Sequence, residues 1–287
     1  MSRFTHIAAL FLAAMLFPFP LAACAVPAEL SNADLPCPNY NAALVSSQLA
    51  AASPLDGAEN LLGATMPHYA PMMKLGVSVL SAVAAARKIE TVVLLAPNHG
   101  GKGPPIQLSG QGYFWSDGSV EGDTEAAESL RKNAAVDAAE DKDTLSGEYA
   151  ASLWAPYVAQ IFPGAKVVTL LYTRGTQTET LSRLADALSA LSRQKELFIL
   201  CSIDFSHYQT PDETLRRDAV TRETVARGDL SALRRLDGTY LDCPEALATL
   251  MLMGSVTQLD YQTVSYLNAG KTVGASYFIY GLPLSPD

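Results

Sequence analysis

Thr91-Val92-Val93-Leu94-Leu95-Ala96-Pro97-Asn98-His99 is the stretch on which the reading of this chain turns. Its apolar residues run consecutively instead of alternating, so neither face of the strand they form meets water. That is the pattern of a strand covered on both sides, as in a parallel sheet packed between helices. The run stops at a proline and passes directly to Asn98-His99. Two further stretches have the same form: Lys166 to Tyr172, and Glu196 to Ser202, which passes into Ile203-Asp204-Phe205-Ser206-His207. A shorter run, Leu61 to Met66, ends at Pro67-His68.

Between these runs the spacing predicts helices over 74–88, 124–134, 146–161 and 178–194. The last carries apolar residues at Leu181, Leu184, Leu188 and Leu191. Further helices are expected over 211–227, 229–235 and 243–254, and closing strands over 261–267 and 273–280. Residues 100–112, with Gly100, Gly101 and Gly103, read as a loop. Strands alternating with helices predict a sheet with helices on both faces. In such sheets the functional groups gather beyond the carboxyl ends of the strands.

The chain has 287 residues, 49% of them hydrophobic and 17% charged, with a net charge of −9. This is globular chemistry, and its acidity argues against nucleic acid as a partner. The first residues form a separate unit: Arg3, then an apolar run from Ile7 to Phe17, then Leu21-Ala22-Ala23-Cys24. The run has the length of a signal-peptide core and is too short to span a bilayer comfortably. Small residues before a cysteine look like a bacterial lipobox. The expected organisation is a lipoprotein signal peptide at 1–23, a tether and extended segment at 24–57, and one α/β domain at 58–287. The protein is then exported, and its only membrane attachment is the lipid on Cys24. Without the lipobox it is soluble in the periplasm. Three cysteines remain, Cys37, Cys201 and Cys243, which allow at most one internal disulfide.

Of the four histidines, His6 lies in the signal segment. His68, His99 and His207 each follow an apolar strand run, so distant positions can meet on one rim. Imidazole suits iron, copper, nickel and zinc, and two histidines with one anionic ligand leave positions open for substrate or oxygen. The anionic candidates are Asp204, Cys243, Glu148 and Asp123. Taken singly, each has an ordinary structural reading: a satisfied histidine, a buried thiol, a capping or surface carboxylate. Tyr113, Phe114 and Trp115 read as a strand packed on the core, or else as a pocket wall. No Gly-x-Ser-x-Gly elbow and no Gly-x-Gly-x-x-Gly fingerprint occurs, which argues against a serine hydrolase of that kind and a dinucleotide enzyme.

Several of these stretches resemble the Memo family, including the proteins called AmmeMemoRadiSam system protein B. They are Met66-Pro67-His68-Tyr69-Ala70, Leu95-Ala96-Pro97-Asn98-His99, Ser202-Ile203-Asp204-Phe205-Ser206-His207-Tyr208, Asp242-Cys243 and Val273-Gly274-Ala275-Ser276-Tyr277. The resemblance covers about residues 60–281. It implies a three-layer αβα sandwich around a mixed, mostly parallel sheet, similar to the class III extradiol dioxygenases. It also implies a metal pocket of His68, His99 and Cys243, holding iron(II) or copper, beside a polar pair of Asp204 and His207 with His207 as the catalytic acid or base. Three functions follow as expectations. They are a metal-dependent redox enzyme with a small-molecule substrate, a copper- or iron-binding envelope protein without turnover, and a domain whose pocket binds a peptide or small molecule. The family name adds a functional link to a radical-SAM protein. Tyr69-Ala70-Pro71, Tyr149 after Glu148, and Pro244 after Cys243 depart from the family's usual residues.

Overall fold

The computed structural model describes residues 34–136 and 140–284. The expected signal segment and Cys24 lie outside the described residues. Eight strands form the main sheet: β1 (Leu61–Met66), β2 (Thr91–Pro97), β3 (Ile106–Ser109), β4 (Lys166–Tyr172), β5 (Leu197–Ser202), β6 (His207–Gln209), β7 (Thr257–Asn268) and β8 (Lys271–Pro283). The order is β7-β8-β1-β5-β2-β4-β3, with β6 paired to β8. The four central strands β1, β5, β2 and β4 are parallel. The flanks, β3 on β4 and β8 on β1, are antiparallel. The sheet is therefore mixed, and parallel pairing is confined to its centre.

The consecutive apolar residues of β2 divide between two cores. Val92, Leu94 and Ala96 pack on one face of the sheet, and Val93 and Leu95 on the other. This follows from the period-two alternation of a strand. Helix α1 (Lys74–Ala86) covers the first face. Helices α2 (Thr124–Ala134), α3 (Thr178–Ser192) and α5 (Pro244–Met253) cover the second, while α4 (Pro211–Ala226) follows β6 and packs against β8. The result is the expected three-layer αβα arrangement. Burying a whole Leu, Ile or Val side chain stabilises by about 1.5–3 kcal/mol.

Three segments differ from the sequence expectation. Ala42–Ala51, read as part of an extended tether, is a helix, capped by Asn41 accepting from the Leu44 amide at 3.0 Å. It docks on the first face through Gln48, which donates to the Ala70 carbonyl and accepts from Tyr157. Ile106–Ser109, read as loop, is the edge strand β3. The single helix expected over 146–161 is instead Lys142–Gly147, Tyr149–Ser152 and Ala155–Ile161, separated at Glu148 and at the Leu153-Trp154 step before Pro156. Tyr113–Trp115 is a strand between Leu35–Pro36 and Gly118–Val120. Its Tyr113 is fully buried, with its hydroxyl 3.0 Å from Thr169 Oγ1. Cys37, Cys201 and Cys243 are buried free thiols. No helix among the described residues is long and apolar enough to cross a membrane.

Candidate metal centre

The parallel register places the site. Met66 of β1 pairs with Ser202 of β5, and His68 and Asp204 each stand two residues past that pair. They therefore meet: the His68 amide donates to Asp204 Oδ1 at 2.9 Å. β2 lies on the other side of β5 and delivers His99 to the same rim. Asn98 closes the turn there, accepting from the Gly101 amide at 3.0 Å and donating to the Lys102 carbonyl at 2.7 Å.

The two imidazoles meet edge to face, with ring centroids 5.3 Å apart. His68 Nε2 lies 3.0 Å from Asp242 Oδ2, and His99 Nε2 lies 3.9 Å from the same oxygen. Ligand atoms of His68, His99 and Asp242 all fall within 4.8 Å of one another. The other ring nitrogens are held from behind. His68 Nδ1 is 3.2 Å from Ser202 Oγ, and His99 Nδ1 is 2.9 Å from Glu148 Oε1. Such outer partners fix the tautomer and aim the opposite nitrogen, as behind metal-ligating histidines. The His68 side chain is 2% exposed and that of His99 34%, so the open side of the group is the His99 side.

Burial alone would push the His68 imidazole down. Asp204, Asp242 and Glu148 together outweigh burial and raise it to about 9. Asp204 is raised above the ordinary carboxylate value, first by burial and then by Asp242, against the opposing pull of His68. One oxygen of Asp242, Oδ1, is buried with no hydrogen-bond partner. A buried carboxylate oxygen left unpaired is costly, while the oxygen that faces both imidazoles is Oδ2. Two imidazoles and one carboxylate, with open positions, are the donor set of mononuclear non-haem iron(II) sites. The residues present thus fit a divalent ion.

Cys243, the third ligand implied by the resemblance, is not in this group. Leu241 and Cys243 are 0% and 1% exposed and lie in the second apolar core, while Asp242 between them faces the histidines. The chain bends at Asp242 between the bridge at Leu241 and Cys243, which precedes the helix beginning at Pro244. Docking Leu241 beside Phe205, its bridge partner, therefore turns Asp242 outward and Cys243 inward. Burial, with Glu245 and Asp242 nearby, holds the thiol well above its ordinary value. Arg174 fastens the segment by donating to the carbonyls of Leu236 at 2.7 Å and Leu241 at 2.9 Å.

Asp204 and His207 do not form a hydrogen-bonded pair. Asp204 accepts from the His68 amide, and its own amide donates to Asp242 Oδ2 at 3.2 Å. His207 Nδ1 lies 2.6 Å from the Phe205 carbonyl, which places the proton on Nδ1 and leaves Nε2 as the basic nitrogen. Glu148 stands behind His99, accepting from its amide at 2.8 Å, from its Nδ1 and from the Ala150 amide. Asp123 is remote: it sits at the amino end of β2, bonded to Thr91 Oγ1 at 2.6 Å and Lys195 Nζ at 2.5 Å. Sequence reasoning missed two residues. Asp242 is the neighbour of the expected Cys243, and Tyr149 is noted above only as a departure from the family's usual residue. The Tyr149 ring in fact stacks on His99, centroids 4.9 Å apart and planes 10° apart, and meets His68 edge-on.

Residues 42–275 match the family model described as Memo-like protein. A MEMO1 family protein of Pyrobaculum aerophilum is 27% identical over 223 residues, covering 74% of this chain and 78% of that protein. Another from Desulfurococcus amylolyticus is 26% identical over 233 residues, covering 78% and 82%. Among solved structures, the uncharacterized protein JW3007 from Escherichia coli K12 aligns with a TM-score of 0.48 and 12% identity, over 77% of this chain and 99% of that one. With most of its length matched by the family model, this chain belongs to the Memo-like protein family.

Proposed function

We propose that this chain is an exported metalloprotein that holds iron(II) between His68, His99 and Asp242 and acts on a small molecule as an oxidoreductase. The observation that carries this reading is the convergence of His68, His99 and Asp242, whose ligand atoms all lie within 4.8 Å of one another. A bound divalent ion supplies Lewis acidity there, and iron adds redox chemistry. Glu148 and Ser202 keep the ligand nitrogens aimed. His207 Nε2 is the residue available to move a proton. A carboxylate third donor is hard, so the set favours iron(II) over copper(I), which prefers sulfur. That consideration places the non-catalytic copper-binding reading second.

The test is metal content after anaerobic loading with iron(II), for the parent, Asp242→Asn and Cys243→Ser. Retention in Cys243→Ser with loss in Asp242→Asn is expected. The reverse pattern would restore the thiolate as ligand, and no metal in any of the three would end the metal reading. Export and anchoring rest on the sequence of residues 1–24. Incorporation of a fatty-acid label, abolished by Cys24→Ala, is the result expected, and its absence from the parent would remove the anchor.

A further inference from the structure

Strand β7 ends the sheet: among the described residues it pairs with β8 on one side and with no strand on the other. It runs for 12 residues, roughly twice the usual strand length. The hairpin turn fixes which of its backbone groups face outward. Ala269 and Gly270 have φ +48 and +77, the two positive values of a type I′ turn. The residues that close such a turn, here Asn268 and Lys271, form a hydrogen-bonded pair. Bonded and unbonded pairs then alternate along an antiparallel ladder. Asn268, Tyr266, Val264 and Gln262 therefore bond to β8, whereas Leu267, Ser265, Thr263 and Tyr261 turn their N–H and C=O groups away from it. Two contacts agree with this phase. The Tyr261 amide donates to Asp260 Oδ1 at 2.7 Å. The Ser276 amide, opposite Thr263, donates to the Ser206 carbonyl at 2.8 Å on the far side of β8. The side chains of Thr263, Ser265 and Leu267 are exposed, the last to 76%.

An open strand edge is a template for another strand, and proteins blunt such edges with short strands, lysine, proline, bulges or a cover. The other end of this sheet is blunted in that way. β3 is four residues long and buried, and Arg131 donates to its Leu108 carbonyl at 3.0 Å. The stretch from Tyr261 to Asn268 has none of these devices. It contains no charge, proline or glycine, and the register shift of β7 lies before it, between Gln258 and Asp260. We propose that this edge pairs with the same edge of a second copy of this chain, antiparallel about a two-fold axis at Ser265. The Tyr261 amide is already taken, which leaves Thr263, Ser265 and Leu267, and Ser265 is their centre. Ser265 then meets the partner's Ser265, and Thr263 the partner's Leu267, for about six backbone hydrogen bonds. In that register Val264 stands opposite the partner's Tyr266, a favourable pairing of a β-branched with an aromatic side chain. Charge favours a second copy over a foreign strand. Asp260 and Lys271 are the hairpin's only charged residues, and the register sets Asp260 opposite the partner's Gly270, beside the partner's Lys271. Two copies close the assembly, because each chain offers one such edge. None of this depends on the metal-centre reading.

The experiment is sedimentation equilibrium of the full mature chain carrying Cys24→Ser, so that no lipid drives association. The mass is expected to rise with concentration from one chain to two and to stop there. Ser265→Lys sets two ammonium groups against each other across the axis and should weaken association about fivefold or more. Ser265→Pro removes an N–H that faces away from β8, a position proline tolerates on an edge strand, and should weaken association further. Melting curves at concentrations where the parent is monomeric verify that both variants are folded; Ser265→Lys, at an exposed position, decides the matter if the proline variant is not. Asp260→Lys and Lys271→Glu should each weaken association and restore it when combined. A chain that stays monomeric at every concentration overturns the proposal and leaves the edge to an extended segment of another protein. A dimer indifferent to substitution at Ser265, a mass that climbs past two chains, or a double charge swap that fails to restore association overturns it as well.

Discussion

Replacing Glu148 by glutamine tests whether the centre is aimed from behind. Glu148 is 3% exposed and accepts three hydrogen bonds: from the His99 amide at 2.8 Å, from His99 Nδ1 at 2.9 Å and from the Ala150 amide at 3.0 Å. Every partner is a donor, so only a group that accepts with both oxygens satisfies all of them. Glutamine has one oxygen and one amide nitrogen. With its oxygen toward His99 Nδ1, the NH2 group faces the His99 backbone N–H, donor against donor. With the NH2 group toward Nδ1, the imidazole must move its proton to Nε2, the nitrogen that faces Asp242, and that nitrogen can no longer ligate. Loss of such an outer partner costs about 10–100-fold in metal affinity, or roughly 1.4–2.8 kcal/mol. Loss of the cap on the Tyr149–Ser152 helix costs the metal-free protein about 1 kcal/mol more. The assay is zinc(II) affinity by competition with a chromophoric chelator, beside thermal melting of the metal-free proteins. A folded Glu148→Gln protein with parental zinc affinity would refute the claim that this carboxylate sets the tautomer of His99.

Two further substitutions probe the frame around the site. A Cβ at Gly76 on α1 would lie 2.3 Å from Trp154 Cη2 and 2.9 Å from Met66 Sδ. Overpacking of about 1–3 kcal/mol outweighs the helix-propensity gain of about 1 kcal/mol. Gly76→Ala should therefore lower the melting temperature by a few degrees, and an unchanged or higher value would contradict the packing described. Asp123→Asn tests the far end of the sheet. Burial opposes ionisation of Asp123, but hydrogen bonds from Lys195, Thr91 and the Ala126 amide together hold its carboxyl below the ordinary 3.8. A depressed folded value contributes stability above the unfolded value that is lost as pH falls through the folded one. Urea melts should show Asp123→Asn less stable than the parent at neutral pH and the gap closing below pH 3.8; a gap constant with pH would refute the assignment.

The strand runs, most of the helices between them and the rim to which they deliver His68 and His99 were legible in the sequence, whereas His207, expected with them, has its Nδ1 on the Phe205 carbonyl. Hydrophobic patterning is local, and a run with no polar alternation has few other ways to be buried. The motifs also placed the chain in its family, and the family match bears that out. Less was legible where partners are distant. The Ala42–Ala51 helix is held by contacts at Ala70 and Tyr157, and β3 is a strand because β4 offers an open edge.

The third member of the centre shows the division most clearly. The resemblance read from the sequence pointed to Cys243 as the third ligand and left its neighbour Asp242 out. Which of the two side chains enters the site was decided by tertiary structure, through the docking of Leu241 against Phe205 in the second core. A change of one residue in that register would exchange Asp242 for Cys243, a hard donor for a soft one. No local pattern distinguishes those alternatives, because the bend at Asp242 is set by the bridge of Leu241 to Phe205. The same holds for Tyr149 and Glu148. Their roles follow from a break between two short helices beside β2, which only the packed chain defines.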